Sequence, residues 1–307
     1  MIKLTTPQAL AVVTAAWLVL AATTTSATGQ TAPDPWIAVD RSLGRAGTTQ
    51  PDGVRRYSFP RSDLKVQLEG VTIRPALALG SWLAFQPMGK DVMVMGDLVL
   101  THEEVNPVLS ELLKSGIRVT ALHNHLLRSA PATMYMHVEG HGNAAAVAAS
   151  IHSALTRSRT PLGTQSVTAA PALGLDTAML DRVMGKAGKA NGGVYQLSFP
   201  RVEALTSGGM PAPASMGTAT AINIQSAPAG KAVATGDFVL LSGEVDPVMK
   251  ALSAAGIEVT ALHNHMLDDQ PRLFFMHFWG HDDPARLATG LRAAVDAMKT
   301  GTQAHAH

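Results

Sequence analysis

Val119-Thr-Ala-Leu-His-Asn-His125 recurs 140 residues later as Val259-Thr-Ala-Leu-His-Asn-His265, and this pair decides how the chain is read. The agreement runs outward in both directions at the same spacing, the signature of an internal repeat. Gly96-Asp97 matches Gly236-Asp237, Glu104-Val105 matches Glu244-Val245, and Pro107-Val108 matches Pro247-Val248. Downstream, Met136-His137 and Gly140-His141 match Met276-His277 and Gly280-His281. Upstream, Ser58 to Arg61 matches Ser198 to Arg201, and with one residue of slippage Asp40-Arg41 matches Asp181-Arg182. The chain is therefore two copies of one unit, residues 36–156 and 177–297. A Thr/Pro/Ala-rich linker, 157–176, joins them, and 298–307 reads as a loose tail.

Periodicity supplies the elements of each copy. In the first, Ile37 to Leu43 reads as a short helix, and 54–59, 64–73, 82–86 and 92–100 as strands. Val105, Val108, Leu109, Leu112 and Leu113 repeat at helical spacing, which predicts a helix over 104–115. Pro107 belongs in its first turn with Asn106 as N-cap, and Gly116 supplies the left-handed residue that ends it. Strands over 117–125 and 133–139 and a closing helix over 143–155 follow. The order implies an α+β fold of two tandem homologous domains, each an antiparallel or mixed sheet with helices packed on one face.

The composition is globular: 46% of the 307 residues are hydrophobic and 15% charged, so nothing favours disorder. Net charge is +1 without a sustained Lys/Arg run, which argues against nucleic acid as a partner. Lys3, the apolar run Ala9 to Ala22 and the small residues Ser26 and Ala27 read as a signal peptide over 1–27. The run is shorter than the roughly 20 residues a spanning helix needs. A periplasmic or secreted protein without a membrane span is expected after cleavage. Its oligomeric state is open. The absence of cysteine excludes disulfides, thiolate ligands and lipid attachment through an N-terminal cysteine.

Eight of the twelve histidines fall at matched positions, four per copy. Along 117–125 the odd positions Ile117, Val119, Ala121, His123 and His125 share one face, so the histidine pair continues an apolar, inward stripe. A hairpin brings His137 to the same neighbourhood, with His141 as a fourth. His263, His265, His277 and His281 repeat the arrangement. Neutral imidazoles from adjoining strands are good donors to a divalent metal, with zinc favoured and copper the rival. The competing readings are a hydrogen-bonded histidine network and metal-free acid–base chemistry. Asp97, Glu104 and Glu139 are candidates to orient the rings. Met136 and Met276 point to the opposite strand face and read as core. Glu104 and Glu244 suit either a general base beside a metal-bound water or a favourable carboxylate at a helix start. Arg61 and Arg201 read better as ion-pair partners than as anion ligands.

On Gly-Asp-Leu-Val-Leu100, Thr-Ala-Leu-His-Asn-His125 and Met-His-Val-Glu-Gly-His141, the sequence resembles the LppY/LpqO family of exported bacterial proteins. The resemblance covers both repeats and implies export and duplication without implying a reaction. The expected function is metal binding. A periplasmic zinc-dependent hydrolase using Glu104 or Glu244 is one alternative, and a module binding an envelope component, with structural histidines, is another.

Overall fold

Two six-stranded sheets, one per repeat, lie face to face with helices on their outer sides. The computed structural model describes Met1 and residues 35–163 and 171–303. The signal segment, residues 164–170 of the linker and 304–307 of the tail lie outside the described residues. No described helix is long and apolar enough to cross a membrane.

The first repeat opens with α1 (Pro35–Leu43), β1 (Thr48–Thr49), β2 (Arg55–Pro60), β3 (Gln67–Leu68), β4 (Val71–Thr72) and α2 (Pro75–Ala78). It continues through β5 (Gly80–Met88), β6 (Asp91–Thr101), α3 (His102–Lys114), β7 (Arg118–His123), β8 (Thr133–Gly142) and α4 (Ala144–Leu155). The second runs through α5 (Thr177–Met184), β9 (Lys189–Asn191), β10 (Val194–Pro200), β11 (Thr206–Ser207), β12 (Met210–Pro211) and β13 (Ala219–Ser226). It ends with β14 (Ala232–Leu240), α6 (Ser242–Ala254), β15 (Glu258–His263), β16 (Asp269–Gln270), β17 (Phe274–Asp282) and α7 (Pro284–Gln303). The sheet orders are β1-β2-β5-β6-β8-β7 and β9-β10-β13-β14-β17-β15, and every pairing within them is antiparallel.

Strand alternation divides the side chains between two kinds of core. On the helix side of the first sheet, Val94, Leu98, Leu100, Met136 and Val138 pack against Val108 and Leu112 of α3 and Ala148 and Ile151 of α4. The second repeat builds the same layer with Phe238, Leu240, Met276 and Phe278 against α6 and α7. The opposite faces meet between the sheets. Val99 and Tyr135 share a cluster with Val233 and Trp279, while Met93 and Met95 share one with Val239, Met266 and Phe275. Each repeat thus depends on the other to bury its inner face, and both lie within one compact unit, Asp34–His307.

Three expectations need correction. Residues 64–73 do not form one strand: Glu69 and Gly70 take positive φ and turn the chain, leaving only the short β3–β4 ladder. Helix α3 starts at His102, so Pro107 lies inside it and Asn106 is not its N-cap. The start is fixed by Glu104, whose carboxylate accepts from the Thr101 N–H at 2.9 Å, as Glu244 does from the Leu241 N–H at 2.7 Å. The third correction moves the histidines. A register shift between Val119 and Ala121, repeated between Val259 and Ala261, bulges β7 and β15. Val119 stands opposite Val138 on the helix side, but Ala121 stands opposite His137 and His123 opposite Tyr135 on the inner side. The histidines therefore do not continue the stripe of Ile117 and Val119. They face the other repeat.

The bulged residues tie the repeats together. The Thr120 hydroxyl donates to the His265 carbonyl at 2.5 Å, and the Thr260 hydroxyl donates to the His125 carbonyl at 2.6 Å. Thr120→Val should leave that carbonyl short of a donor and cost about 1–3 kcal/mol. Urea unfolding measures this, and an unchanged midpoint would deny the contact any structural role.

Candidate metal centre

His123, the last residue of β7, and His125, just beyond it, meet His137 of β8 and the equivalent His263, His265 and His277 between the two sheets. The rings pair across the repeats: His123 stacks on His263 at 3.6 Å between centroids, His125 on His277 at 3.7 Å, and His137 on His265 at 3.6 Å. Two groups have donor atoms close enough to hold one ion, His123 with His263, His265 and His277, and His123 with His125 and His137. The second group is the first-repeat trio that the sequence brings together, whereas the first unites His123 with three histidines of the other repeat.

His141 and His281 are not among these groups. His141 is exposed near the end of β8, and His281 Nδ1 lies 3.2 Å from Glu69 Oε2. They stand four residues beyond His137 and His277 on the same strands, about 13 Å further along at the rise of an extended chain. Glu104 and Glu244 are also absent from both groups. Their carboxylates accept from Arg61 and Arg201, with Nη1–Oε2 distances of 2.7 Å in each repeat. Glu139 accepts from Arg118 and from the Ser207 hydroxyl instead of orienting a ring.

The groups that do orient the rings are main-chain ones, at Gly96 and Gly236 of the matched Gly-Asp pairs and at Asn264. His277 Nδ1 lies 2.9 Å from the Gly236 carbonyl, which can only accept, so this nitrogen carries the proton and Nε2 presents its lone pair. His263 Nδ1 donates to the Asn264 carbonyl at 3.1 Å with the same consequence. Main-chain Gly96 holds His137 in the equivalent way. A Cβ on Gly236 would sit 1.9 Å from the Ala221 carbonyl oxygen, so the close strand approach here requires glycine. Asp97 and Asp237 follow. Asp97 Oδ2 lies 3.6 Å from His125 Nε2, and Asp237 Oδ2 lies 3.4 Å from His265 Nε2. Sequence reasoning named Asp97 but missed Asp237, although the repeat match contained it.

The polar atoms are poorly satisfied by one another. His123 Nε2 lies 3.2 Å from His277 Nε2 and 3.1 Å from His125 Nε2. One ring nitrogen has a single in-plane position, holding either a proton or a lone pair. It can at best share one proton between two neighbours. The buried Nε2 atoms of His137, His263 and His265, and Oδ1 of both Asp97 and Asp237, have no hydrogen-bond partner. Such groups are costly to bury. Two nitrogens bound at about 2.0–2.1 Å to one tetrahedral zinc stand about 3.3–3.4 Å apart, close to these spacings. The donor set fits a cation.

Burial keeps the imidazoles neutral. It pushes His263 down to about 4 and His277 down to about 3, and holds His123, His125, His137 and His265 well below the ordinary value. For all but His263, neighbouring rings add to the effect. Burial raises Asp97 to about 7, and Asp237 is raised by burial and by the Asp97 charge. Below pH 6.5 the unfolded chain takes up protons at histidines that the folded chain leaves bare, so acid removes stability. The raised aspartates act in the opposite sense, Asp97 between its unfolded value near 3.8 and about 7 and Asp237 upward from the same unfolded value, but two of them oppose six histidines. Metal-free protein should therefore lose stability steeply from about pH 6.5 to about pH 4 in urea titrations. A flat profile would contradict the burial of neutral imidazoles.

Fold and site together define a duplicated α+β protein whose repeats share a buried histidine–aspartate cluster that could hold a metal ion. The chain belongs to the family described as Domain of Unknown Function (DUF1259), whose model matches residues 37–157 and 178–297, one match per repeat. No curated protein matches the sequence. Among solved structures, a trimeric bacterial microcompartment shell protein, PduB, is 13% identical, with 86% of this chain and 95% of that one covered, at a TM-score of 0.24. EtuB from Clostridium kluyveri is 10% identical, with 84% and 91% covered, at a TM-score of 0.25. Likeness at that level carries no argument about fold or function.

Proposed function

We propose that this protein is an exported metal-binding protein that holds a divalent cation, zinc by default with copper the rival, at the histidine cluster between its repeats. One observation carries the reading: His123 Nε2 faces two other ring nitrogens at 3.1 and 3.2 Å, an arrangement that a single proton serves badly and a cation serves well. The neutral state of the buried rings supports it, since a metal needs the lone pair free. Export rests on the N-terminal sequence, and the LppY/LpqO resemblance belongs to the same reading. Neither Glu104 nor Glu244 stands among the donor groups, which leaves the hydrolase alternative without a general base at the site.

Elemental analysis of untagged protein is expected to find bound zinc or copper, and adding either ion to the stripped chain should raise its thermal midpoint. A metal-free chain whose stability ignores both ions would end the proposal.

A further inference from the structure

We infer that the cluster holds two cations in unlike positions, one enclosed by His123, His263, His265 and His277, and one on His125, His137 and Asp97 with a coordination position left open to a small anion. This rests on the metal-binding reading above and goes beyond it in number, ligands and chemistry. His123 belongs to both convergent groups, but the same nitrogen, Nε2, faces both His277 and His125. A nitrogen with one lone pair serves one ion. Once His123 is committed to the four-histidine group, His125 and His137 need another donor.

Asp97 is placed to be that donor. It stands directly opposite His137 in the β6–β8 register, with Oδ2 3.6 Å from His125 Nε2 and 3.9 Å from His137 Nε2. Its Oδ1 and the Nε2 of His137 are both buried without a hydrogen-bond partner. Closing these spacings to the roughly 3.3–3.4 Å of a tetrahedral edge takes contractions of about 0.2–0.3 Å at His125 and about 0.5–0.6 Å at His137. Four histidines make a closed site, whereas two histidines and a carboxylate leave positions free.

A cavity of about 10 Å³ adjoins His137, walled by Met95, Met216, Met266 and His265. That is room for one water-sized ligand. The duplication is broken at this point, because Met95 and Met266 correspond to Thr235 and Leu126 in the other repeat. Charge argues for an anion there. Asp97 and Asp237 are the carboxylates within ion-pair distance of these six histidines among the described residues. Two divalent ions exceed their two negative charges, and buried charge left unbalanced is expensive. A hydroxide-sized anion in the open position offsets part of the excess.

The test is zinc uptake by the full-length untagged protein after dialysis against excess zinc. Wild type should retain two zinc ions per chain and Asp97→Asn one. The cobalt-loaded wild type should change its visible spectrum when azide is added, and Asp97→Asn should not. His125→Gln, expected to behave as Asp97→Asn, serves if the aspartate variant fails to fold by circular dichroism. A single ion in wild type overturns the second position while leaving the metal-binding reading standing. No ion at all overturns both, and two ions in a folded Asp97→Asn or His125→Gln protein overturn the ligand assignment.

Discussion

Replacing Glu104 by alanine is expected to destabilise the protein by about 3–5 kcal/mol while leaving metal uptake unchanged. The Glu104 carboxylate accepts from Arg61 Nη1 at 2.7 Å and Nη2 at 3.1 Å, from the Arg159 N–H at 2.7 Å and from the Thr101 N–H at 2.9 Å. The Arg61 side chain is fully buried, so removing its partner strands a guanidinium that keeps only Asp63 and the Val99 carbonyl. The main-chain donors at the start of α3 and at Arg159 lose their acceptor in the same stroke. Arg61→Met combined with Glu104→Leu should recover much of the loss, because replacing both members of a buried pair costs far less than breaking it. Urea unfolding of the three variants decides the matter. A Glu104→Ala protein within about 1 kcal/mol of wild type would deny the pair its structural role and return Glu104 to the candidates for chemistry.

How much of this the sequence discloses depends on whether a feature is local or crosses the repeats. The duplication, the antiparallel sheets and the helices on one face follow from self-similarity and periodicity, and the family match divides the chain in the same places. The placement of Met136 and Met276 in the helix-side cores also follows from simple alternation. Alternation fails at β7 and β15, because one inserted residue reverses the face of everything after it and no residue type announces the bulge. Thr120 and Thr260 are ordinary strand residues until a second repeat supplies carbonyls for them. The helix start eludes the sequence for a related reason: Pro107 suggests a boundary, but Glu104 already satisfies the main chain of Thr101, six residues ahead of the proline.

The site was legible as a set of residues rather than as an arrangement. His123, His125, His137 and their counterparts were identified because histidine at matched inward positions is costly without a partner. That their partners lie in the other repeat is a property of two sheets packed face to face. A sequence of one repeat contains no trace of it. The Gly-Asp pairs offered the missed clue: a glycine that allows close strand approach and a carboxylate beside it recur at Gly96-Asp97 and Gly236-Asp237, in register with the histidines.

His123→Ala and His277→Ala, one substitution in each repeat, are each expected to weaken zinc binding at the four-histidine position by at least about 100-fold. The double variant should be little worse than either alone, because the two residues serve one ion and the second loss finds the site already broken. Independent sites within each repeat would give additive losses instead. The effect is large enough to read from stability. With free zinc at about 1,000 times the dissociation constant, binding stabilises the fold by about 4.1 kcal/mol. A 100-fold weaker site at the same zinc concentration contributes only about 1.4 kcal/mol. Without metal, each variant should lose stability to the cavity left by the ring, and His277→Ala also leaves the Gly236 carbonyl without its donor, so each variant is compared with its own zinc-free form. The discriminating quantity is therefore the zinc-dependent part of the unfolding free energy, measured across wild type, both single variants and the double. Additive losses would place the ions within the repeats, and only strong non-additivity is consistent with an ion held between them.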